Sequence, residues 1–339
     1  METSEDLQAR RDDARPRLSA DPIRRFVPTP FCLNVPIMGR TIRVETNSSR
    51  VSCHIARLTS GYPGSQSDHS EFLWRIVVET GGQADQLWPG RSAFSDEGLR
   101  FVQFGERSFL AVDLGARQAI AVLSERLVDN DLGFTSPFLD NLFCLTSNAL
   151  GLVAFWANCV SLEGKGILLF GGANNGKTSA AYVAQDLGLE FHADEGVFCD
   201  FDSGALRCWG GFWPATFRPE TLQFLPKLRE QVRPCAHRDF VIYHLSQPKL
   251  QHRRRLPVQP HCSLFLERNA SAVPVISRIS GDELARRLAG SILFKDDDRF
   301  LEQQKVVLQC LEEVPAYVLR YDSDPAVAAA KARELLAES

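Results

Sequence analysis

Residues 166–179 read GILLFGGANNGKTS, in which an apolar run leads into a glycine-rich turn and then into a helical pattern. The turn, Gly171 to Thr178, has the spacing G-x-x-x-x-G-K-[ST] of a phosphate-binding loop, or P-loop. A strand in front of the turn and a helix behind it are the context that this motif requires. The stretch therefore predicts an α/β fold in which a buried strand delivers a P-loop, and it disfavours a glycine-rich turn without a ligand.

The residue types of this loop suit the binding of a nucleoside triphosphate. Glycines let the backbone curl so that successive N–H groups and the helix N-terminus point at phosphate oxygens. Lys177 adds a positive charge near the β- and γ-phosphates, and Thr178 can place its hydroxyl on the Mg²⁺ that bridges them. We therefore expect ATP and Mg²⁺ as cofactors. The residues expected to contact the nucleotide are Gly171, Gly172, Ala173, Asn174, Asn175, Gly176, Lys177, Thr178 and Ser179.

Two acidic residues follow the next predicted strand. The strand at 189–193 delivers Asp194 and Glu195 at its carboxyl end, the edge at which ligands bind in open α/β sheets. Phosphoryl transfer to an alcohol needs a metal ligand and a group that accepts the hydroxyl proton. We assign Asp194 as the proton acceptor, with Glu195 joining Thr178 in binding Mg²⁺. The reverse division, and a role of both acids as solvated caps of the strand, stay open. With Lys177, these two acids are the predicted catalytic residues.

The rest of the C-terminal half alternates short apolar strands with helices, a pattern typical of a sheet with helices packed against it. The last predicted helix begins with Asp324 and Pro325, a capping residue followed by proline at the first helical position. The predicted strands are 166–170, 189–193, 196–201, 206–210, 240–245, 263–267 and 316–321, and helices are predicted to follow Lys177, Asp282, Arg299 and Asp324.

The N-terminal half has the two-residue alternation of β-strands. It extends from Phe31 to about Leu123 and is clearest at 72–78, which read FLWRIVV before a pair of glycines. Apolar runs at 101–104 and 109–114 flank Gly105–Arg107, which predicts a hairpin. This half is therefore predicted to be a β-rich α+β domain.

Helical spacing of apolar residues returns between the two halves, and it predicts a connecting helix from Phe138 to Trp156. The most apolar stretch, 149–160, is shorter than the roughly 20 residues that span a bilayer, so it is predicted to be a core helix. Met1 to Arg25 alternates acidic and basic residues without an apolar run and is predicted to be disordered. The predicted divisions are a tail at 1–28, the β-rich domain at 29–135 and the P-loop domain at 136–339.

The composition disfavours binding to nucleic acid or membranes, and it also disfavours a disulfide framework or a zinc site. A net charge of -4 and a pI near 6.0 give no general attraction to nucleic acid or to anionic membranes. Nine scattered cysteines, odd in number and never spaced C-x-x-C, disfavour a disulfide framework or a zinc site. We therefore expect a cytoplasmic protein with neither nucleic acid nor membrane as partner.

The segment from Gly164 to Ser179, followed by His192–Val197, resembles the C-terminal kinase domain of HPr kinase/phosphorylase and its relatives, including serine kinase-like proteins of peptide-modification pathways. The resemblance covers about the last 190 residues and is specific around the P-loop and the acidic pair. It implies a fold like phosphoenolpyruvate carboxykinase, ATP and Mg²⁺ as cofactors and a serine hydroxyl as acceptor, and it raises a homo-oligomer as the assembly to test.

The chain departs from that family at three places. Trp156–Asn158 stands where the family usually has a histidine, and Ala173–Asn175 where its loop usually carries serine and glycine. The acidic pair is usually two aspartates. The regulatory signature of HPr kinase/phosphorylase is not recognisable, so neither HPr as substrate nor phosphorylase activity is implied.

The leading functional hypothesis is an ATP- and Mg²⁺-dependent kinase that phosphorylates a serine-type hydroxyl of a peptide or protein. The alternatives are a small-molecule kinase and a regulatory protein that binds ATP without transferring phosphate. Arg218 is a candidate contact of the nucleotide or acceptor, and the basic run 249–255 is either a solvated loop or a docking site for an acidic peptide. His192 is predicted to be structural. The aromatic residues Trp209, Phe212, Trp213 and Phe217 are predicted to lie in the core, with an exposed peptide-docking patch as the alternative.

Overall fold

The structure of the protein is a computed structural model. It describes residues 21, 23–63, 69–80, 93–96, 98–104, 108–130, 134–211, 215–237, 240–245, 256–269, 273–293, 300–322 and 324–338. In these residues the chain is a mixed α/β protein with two large and two small β-sheets. Among the helices of the described ranges, none has both the length and the apolar character needed to cross a membrane.

Every strand and helix predicted after residue 160 is present, and their ends shift by at most a few residues. The strands, β1 to β19 in chain order, cover Phe31–Ile37, Arg40–Thr46, Phe72–Glu79, Ala93–Asp96, Leu99–Gln103, Phe109–Asp113, Gln118–Ser124, Val153–Phe155, Asn158–Leu162, Lys165–Phe170, Glu190–Ala193, Val197–Asp202, Ala205–Gly210, Thr216–Phe217, Val232–His237, Phe240–Leu245, Gln259–Arg268, Val275–Ile279 and Ala316–Tyr321. The α-helices, α1 to α8, cover Ser49–Thr59, Glu125–Asp129, Asp140–Ser147, Lys177–Val183, Thr221–Phe224, Gly281–Ser291, Leu301–Glu313 and Pro325–Ala337.

The N-terminal half forms a seven-stranded sheet in the order β1-β2-β3-β7-β6-β5-β4. Strands β2, β3 and β7 run parallel and the other neighbouring strands antiparallel. The predicted alternation is confirmed in β3, where Phe72, Trp74 and Ile76 are buried. The predicted hairpin is also confirmed, because β5 and β6 pair antiparallel. Its loop, 105–107, lies outside the described residues.

The segment that connects the two halves differs from the prediction. A π-helical turn over Phe134–Leu139 leads into α3, and a 3₁₀ turn then ends at Gly151, which has φ +80°. A left-handed residue of this kind ends a helix, so the predicted helix up to Trp156 is wrong. The stretch 149–160, predicted as a core helix, instead contains β8 and the start of β9. Apolar periodicity alone does not separate a buried strand from a buried helix; the pairing of β8 with β12 decides the matter.

The C-terminal half is built on a six-stranded sheet in the order β11-β9-β10-β17-β19-β18. Strands β10, β17 and β19 are parallel, while β9 is antiparallel to both β10 and β11. Strands β10 and β11 therefore run in the same direction and end at the same edge. One face of the sheet packs against α4 and α8. The other face packs against α6, α7 and the hairpin of β12 and β13.

A buried ionic cluster joins the hairpin to the N-terminal half. Asp200 on β12 is 1% exposed and accepts hydrogen bonds from Arg40 Nη2 at 2.9 Å and from Arg207 Nε at 3.0 Å. The Trp209 indole N–H also donates to Asp200, at 3.2 Å. Trp209 and Phe198 belong to the hydrophobic core of the N-terminal half. The hairpin therefore connects the two halves of the chain, whose division at residues 28 and 135 stays a prediction.

Candidate active site

The glycine-rich turn lies between β10 and α4, at the edge where β10 and β11 end. Gly171 has φ +144°, and a Cβ there would stand 2.7 Å from the carbonyl oxygen of Leu266. Gly176 has φ +83°, and a Cβ there would stand 2.5 Å from the Tyr321 hydroxyl oxygen. Between them, the Asn175 amide donates to the Leu266 carbonyl at 3.0 Å. The two glycines of the motif are therefore required by backbone conformation and by close packing against β17 and β19.

Lys177 is buried in the turn, with 6% of the residue exposed. Its ammonium group donates to the carbonyl oxygens of Gly171 at 2.8 Å and Gly172 at 3.1 Å. The ring of Trp156 lies 4.6 Å from the ammonium nitrogen, within range of a cation–π interaction. Burial lowers the pKa of Lys177, while the charges of Glu195 and Asp194 oppose that change. The loop carbonyls therefore hold the Lys177 ammonium group, which also interacts electrostatically with the carboxylates of Glu195 and Asp194.

Asp194 follows β11 and its carboxylate is held by protein groups on both oxygens. Oδ1 accepts hydrogen bonds from the Thr178 hydroxyl at 2.7 Å and from the Asn158 amide. Oδ2 accepts from the backbone N–H of Thr216 at 3.1 Å. Asp194 is 2% exposed. The carboxylate therefore links the first turn of α4 to the start of β14 and is aimed at the threonine of the motif.

Glu195 differs from Asp194 in both conformation and surroundings. Its φ is +54°, a left-handed conformation that costs a residue with a side chain about 1 kcal/mol or more. Its side chain lines the cleft above the P-loop. The residue is exposed to the open cleft, yet the protein around its carboxyl group desolvates that group and raises the pKa of Glu195 to about 7, with the charge of Asp194 adding to the rise and Lys177 and Arg218 opposing it. Glu195 therefore presents its carboxyl group to the cleft.

Asn158 is a residue of the site that the sequence patterns did not single out. It is the first residue of β9, the strand between β10 and β11, and it is fully buried. Its amide nitrogen donates to Asp194, and its amide oxygen accepts from the Glu195 N–H at 3.2 Å. The amide therefore holds both acidic residues in place. One signal in the sequence indicates that this position matters: Trp156–Asn158 stands where the family that the sequence resembles usually has a histidine.

A cleft of about 450 Å³ lies beside the P-loop. One wall consists of P-loop residues between Ala173 and Ser179, and the others are formed by Trp156, Glu195, residues of the segment 216–221 and Arg268. This volume lies within the range of small-molecule sites, roughly 300–1,000 Å³. Six of the nine residues predicted to contact the nucleotide line this cleft, namely Ala173, Asn174, Gly176, Lys177, Thr178 and Ser179, whereas Gly171, Gly172 and Asn175 do not.

The oxygen atoms at the edge of the cleft fit a magnesium ion. The Thr178 hydroxyl and the Asp194 carboxylate lie within hydrogen-bond distance, and Glu195 is the adjacent acid. In the part of the chain that the structure describes, no three His, Cys, Asp or Glu side chains come together as a metal site. Mg²⁺ is typically held by one or two carboxylates together with substrate phosphates. The Thr178 hydroxyl and the two adjacent acids are therefore a suitable number of protein ligands for Mg²⁺.

The other residues singled out from the sequence fall in three groups. Arg218 lines the cleft, as one of its predicted roles requires. Trp209 and Phe217 are buried, which confirms a core position for these two, and His192 is 1% exposed. Phe212, Trp213 and the basic run 249–255 lie outside the described residues.

No protein-family model matches the chain, and no curated protein matches it. Among solved structures, it is similar to the Hpr(Ser) kinase/phosphatase from Coxiella burnetii at 12% sequence identity. The alignment covers 55% of this chain and 91% of that chain, with a TM-score of 0.31. This is a distant similarity at the level of the fold, and we draw no residue roles from it.

Proposed function

We propose that the chain is an ATP-dependent kinase that transfers the γ-phosphate to a serine-type hydroxyl of a peptide or protein. The observation that carries the proposal is the hydrogen bond between the Thr178 hydroxyl and the Asp194 carboxylate, with Glu195 facing the same cleft. A P-loop threonine beside an aspartate is the arrangement that positions a metal-bound triphosphate. A second carboxylate, open to the cleft, then supplies the group that an alcohol acceptor needs.

The P-loop and Lys177 hold the triphosphate in this proposal. The ammonium group of Lys177 now donates to the carbonyls of Gly171 and Gly172, and phosphate oxygens are stronger acceptors for it than neutral carbonyls. Thr178 and Asp194 would hold Mg²⁺, which would neutralise phosphate charge. Asn158 keeps Asp194 aimed at Thr178.

Glu195 accepts the proton of the acceptor hydroxyl, which reverses the division of roles expected from the sequence. The reason is geometric: Asp194 is 2% exposed and is directed at Thr178, where the metal would bind, whereas the Glu195 carboxyl lines the cleft. During transfer the hydroxyl oxygen bonds to the γ-phosphorus, and the bond from that phosphorus to the β,γ-bridging oxygen breaks. ADP leaves with the electron pair, and the hydroxyl proton passes to the Glu195 carboxylate.

Two observations support a hydroxyl-bearing acceptor over a simple nucleotide sensor. Glu195 is held in a strained backbone conformation, and strain of this kind concentrates at functional sites. Its side chain also lines the cleft, where an acceptor hydroxyl can reach the carboxyl group. The motif resemblance to serine kinases supports a peptide or protein as the acceptor ahead of a small molecule.

Transfer of labelled γ-phosphate from ATP tests this function. With Mg²⁺, we expect label to move to serine-containing peptides and not to matched peptides in which alanine replaces serine. We expect no transfer when Mg²⁺ is chelated, because Lys177 alone would leave much of the phosphate charge uncompensated. A parallel panel of small alcohols separates the two kinds of kinase.

If the label moves to small alcohols and not to peptides, the protein is a small-molecule kinase and the proposed peptide acceptor is wrong. ATP that binds tightly but passes its phosphate to none of these acceptors would contradict the kinase proposal and favour a nucleotide-binding regulatory protein.

A further inference from the structure

Besides Lys177 and Arg218, Arg268 also lines the cleft, on the side of the P-loop away from the acidic pair. Arg268 is the last residue of β17, which runs parallel to β10 beside it, with Phe265 opposite Phe170. Parallel strands that are in register end at the same edge, so Arg268 lies next to the turn that follows β10. Its side chain lines the cleft together with Lys177.

Arg268 is held against the P-loop by a buried tyrosine. Tyr321, the last residue of β19, is fully buried, and its hydroxyl donates to the backbone carbonyl of Asn175 at 2.7 Å. Burial raises the pKa of Tyr321, whereas the charge of Arg268 and a hydrogen bond from its guanidinium to the phenol oxygen oppose the rise. Tyr321 is therefore hydrogen-bonded to the P-loop backbone and interacts through its phenol group with the guanidinium of Arg268.

Gly176 shows how close this pair approaches the turn. A Cβ built on Gly176 would stand 2.5 Å from the Tyr321 hydroxyl oxygen and 3.3 Å from Arg268 Nη2. The guanidinium therefore packs directly over the second glycine of the motif, where the loop backbone would cradle phosphate. Guanidinium is planar, permanently charged and able to give two parallel N–H bonds to a phosphate group.

On these grounds, and resting on the nucleotide site proposed above, we propose that Arg268 is a second cationic contact for the phosphates bound in the P-loop. Tyr321 is the positioning residue that holds the guanidinium over Gly176. The ligand class is an oligophosphate, so the contact is made with the phosphates and not with the base.

The test compares equilibrium dissociation constants of Mg·ATP and Mg·tripolyphosphate, measured by titration calorimetry on the full chain. Arg268→Gln removes the charge and keeps a polar, though shorter, side chain. Arg278→Gln, at an exposed position of β18 in the same sheet, is the matched control for the loss of one positive charge. We expect Arg268→Gln to weaken both ligands by roughly tenfold or more and by similar factors, and Arg278→Gln to leave both unchanged.

Tyr321→Phe tests the positioning role, because it keeps the buried ring and removes only the hydroxyl. We expect a weaker loss of affinity for Mg·tripolyphosphate than with Arg268→Gln, and no further loss when Tyr321→Phe is added to Arg268→Gln. An undiminished effect of Tyr321→Phe in that background would show that the hydroxyl acts through Asn175 alone and would overturn the positioning role.

Two results would overturn the role of Arg268. In the first, the native chain binds both ligands and Arg268→Gln binds them with the same affinity. The other is a loss confined to Mg·ATP, which would place the guanidinium on the base or ribose. If the native chain binds neither ligand, the proposed nucleotide site itself fails and this inference fails with it.

Discussion

Replacing Glu195 by glutamine should lower the rate of phosphoryl transfer by roughly 10²- to 10⁴-fold, the usual contribution of a positioned general base. Glutamine keeps the size and the hydrogen-bonding capacity of the side chain, but it cannot accept the hydroxyl proton. The affinity for Mg·ATP should change little, since the P-loop and Lys177 are untouched. Single-turnover transfer at saturating ATP, paired with a binding titration, measures the two effects separately.

Glu163→Gln is the matched control for this change. Glu163 is also a glutamate with positive φ, +51°, but it lies exposed in the turn between β9 and β10, at the opposite end of the sheet from Asn158. The Glu163→Gln variant should transfer phosphate at the rate of the native chain. Full transfer by Glu195→Gln together with lost transfer by Asp194→Asn would restore Asp194 as the proton acceptor and contradict the division proposed here.

Replacing Asp200 by alanine should lower the free energy of unfolding by about 3–5 kcal/mol, the range for breaking a buried ion pair from one side. The change would leave the Trp209 indole N–H without its acceptor inside the core, and it would remove the charge that Arg40 and Arg207 share. Denaturant unfolding, followed by the fluorescence of the tryptophans, measures the loss.

Asp202→Ala provides the comparison for Asp200. Asp202 is on the same strand and also pairs with Arg207, at 2.9 Å, but its side chain is 47% exposed. Exposed pairs of this kind typically contribute between 0 and about 1 kcal/mol, so the control should be nearly as stable as the native chain. Equal losses in the free energy of unfolding for the two variants would contradict the claim that the buried position of Asp200 strengthens the contact between the two halves.

Much of the C-terminal fold could be predicted from the sequence because its signals are local. The apolar run 166–170, the glycine-rich turn and the helix after Lys177 each follow from neighbouring residues. The capping pair Asp324 and Pro325 likewise placed the start of α8, where the Asp324 side chain accepts from the N–H of Ala326. Local patterns of this kind carry over directly into the structure.

The predictions failed or stopped short where long-range pairing decides the structure. Residues 153–155 look helical by periodicity but form a strand because β12 pairs with them. Asn158 enters the site only because β9 lies between β10 and β11. Tyr321 follows Asn175 by 146 positions, yet the two are hydrogen-bonded through the parallel sheet. Such contacts leave no periodic signal in a single sequence.

The proposed division of roles between Asp194 and Glu195 could not be predicted from the sequence for a related reason. Two adjacent acids at the end of a strand are equivalent in sequence. Their difference arises from Asn158, Thr178 and Thr216, which engage Asp194 and leave Glu195 facing the cleft.

The central claim is that the turn from Gly171 to Thr178 holds the phosphates of ATP, and binding of Mg·ATP to the native chain and to Lys177→Ala tests it most directly. Loss of a charge-assisted contact of about 1.5–3 kcal/mol predicts a dissociation constant roughly ten- to a hundredfold higher for Lys177→Ala. Lys165→Ala, at the exposed start of β10, should bind as the native chain does. Unchanged affinity in Lys177→Ala, in a variant that melts at the native temperature, would contradict the P-loop assignment.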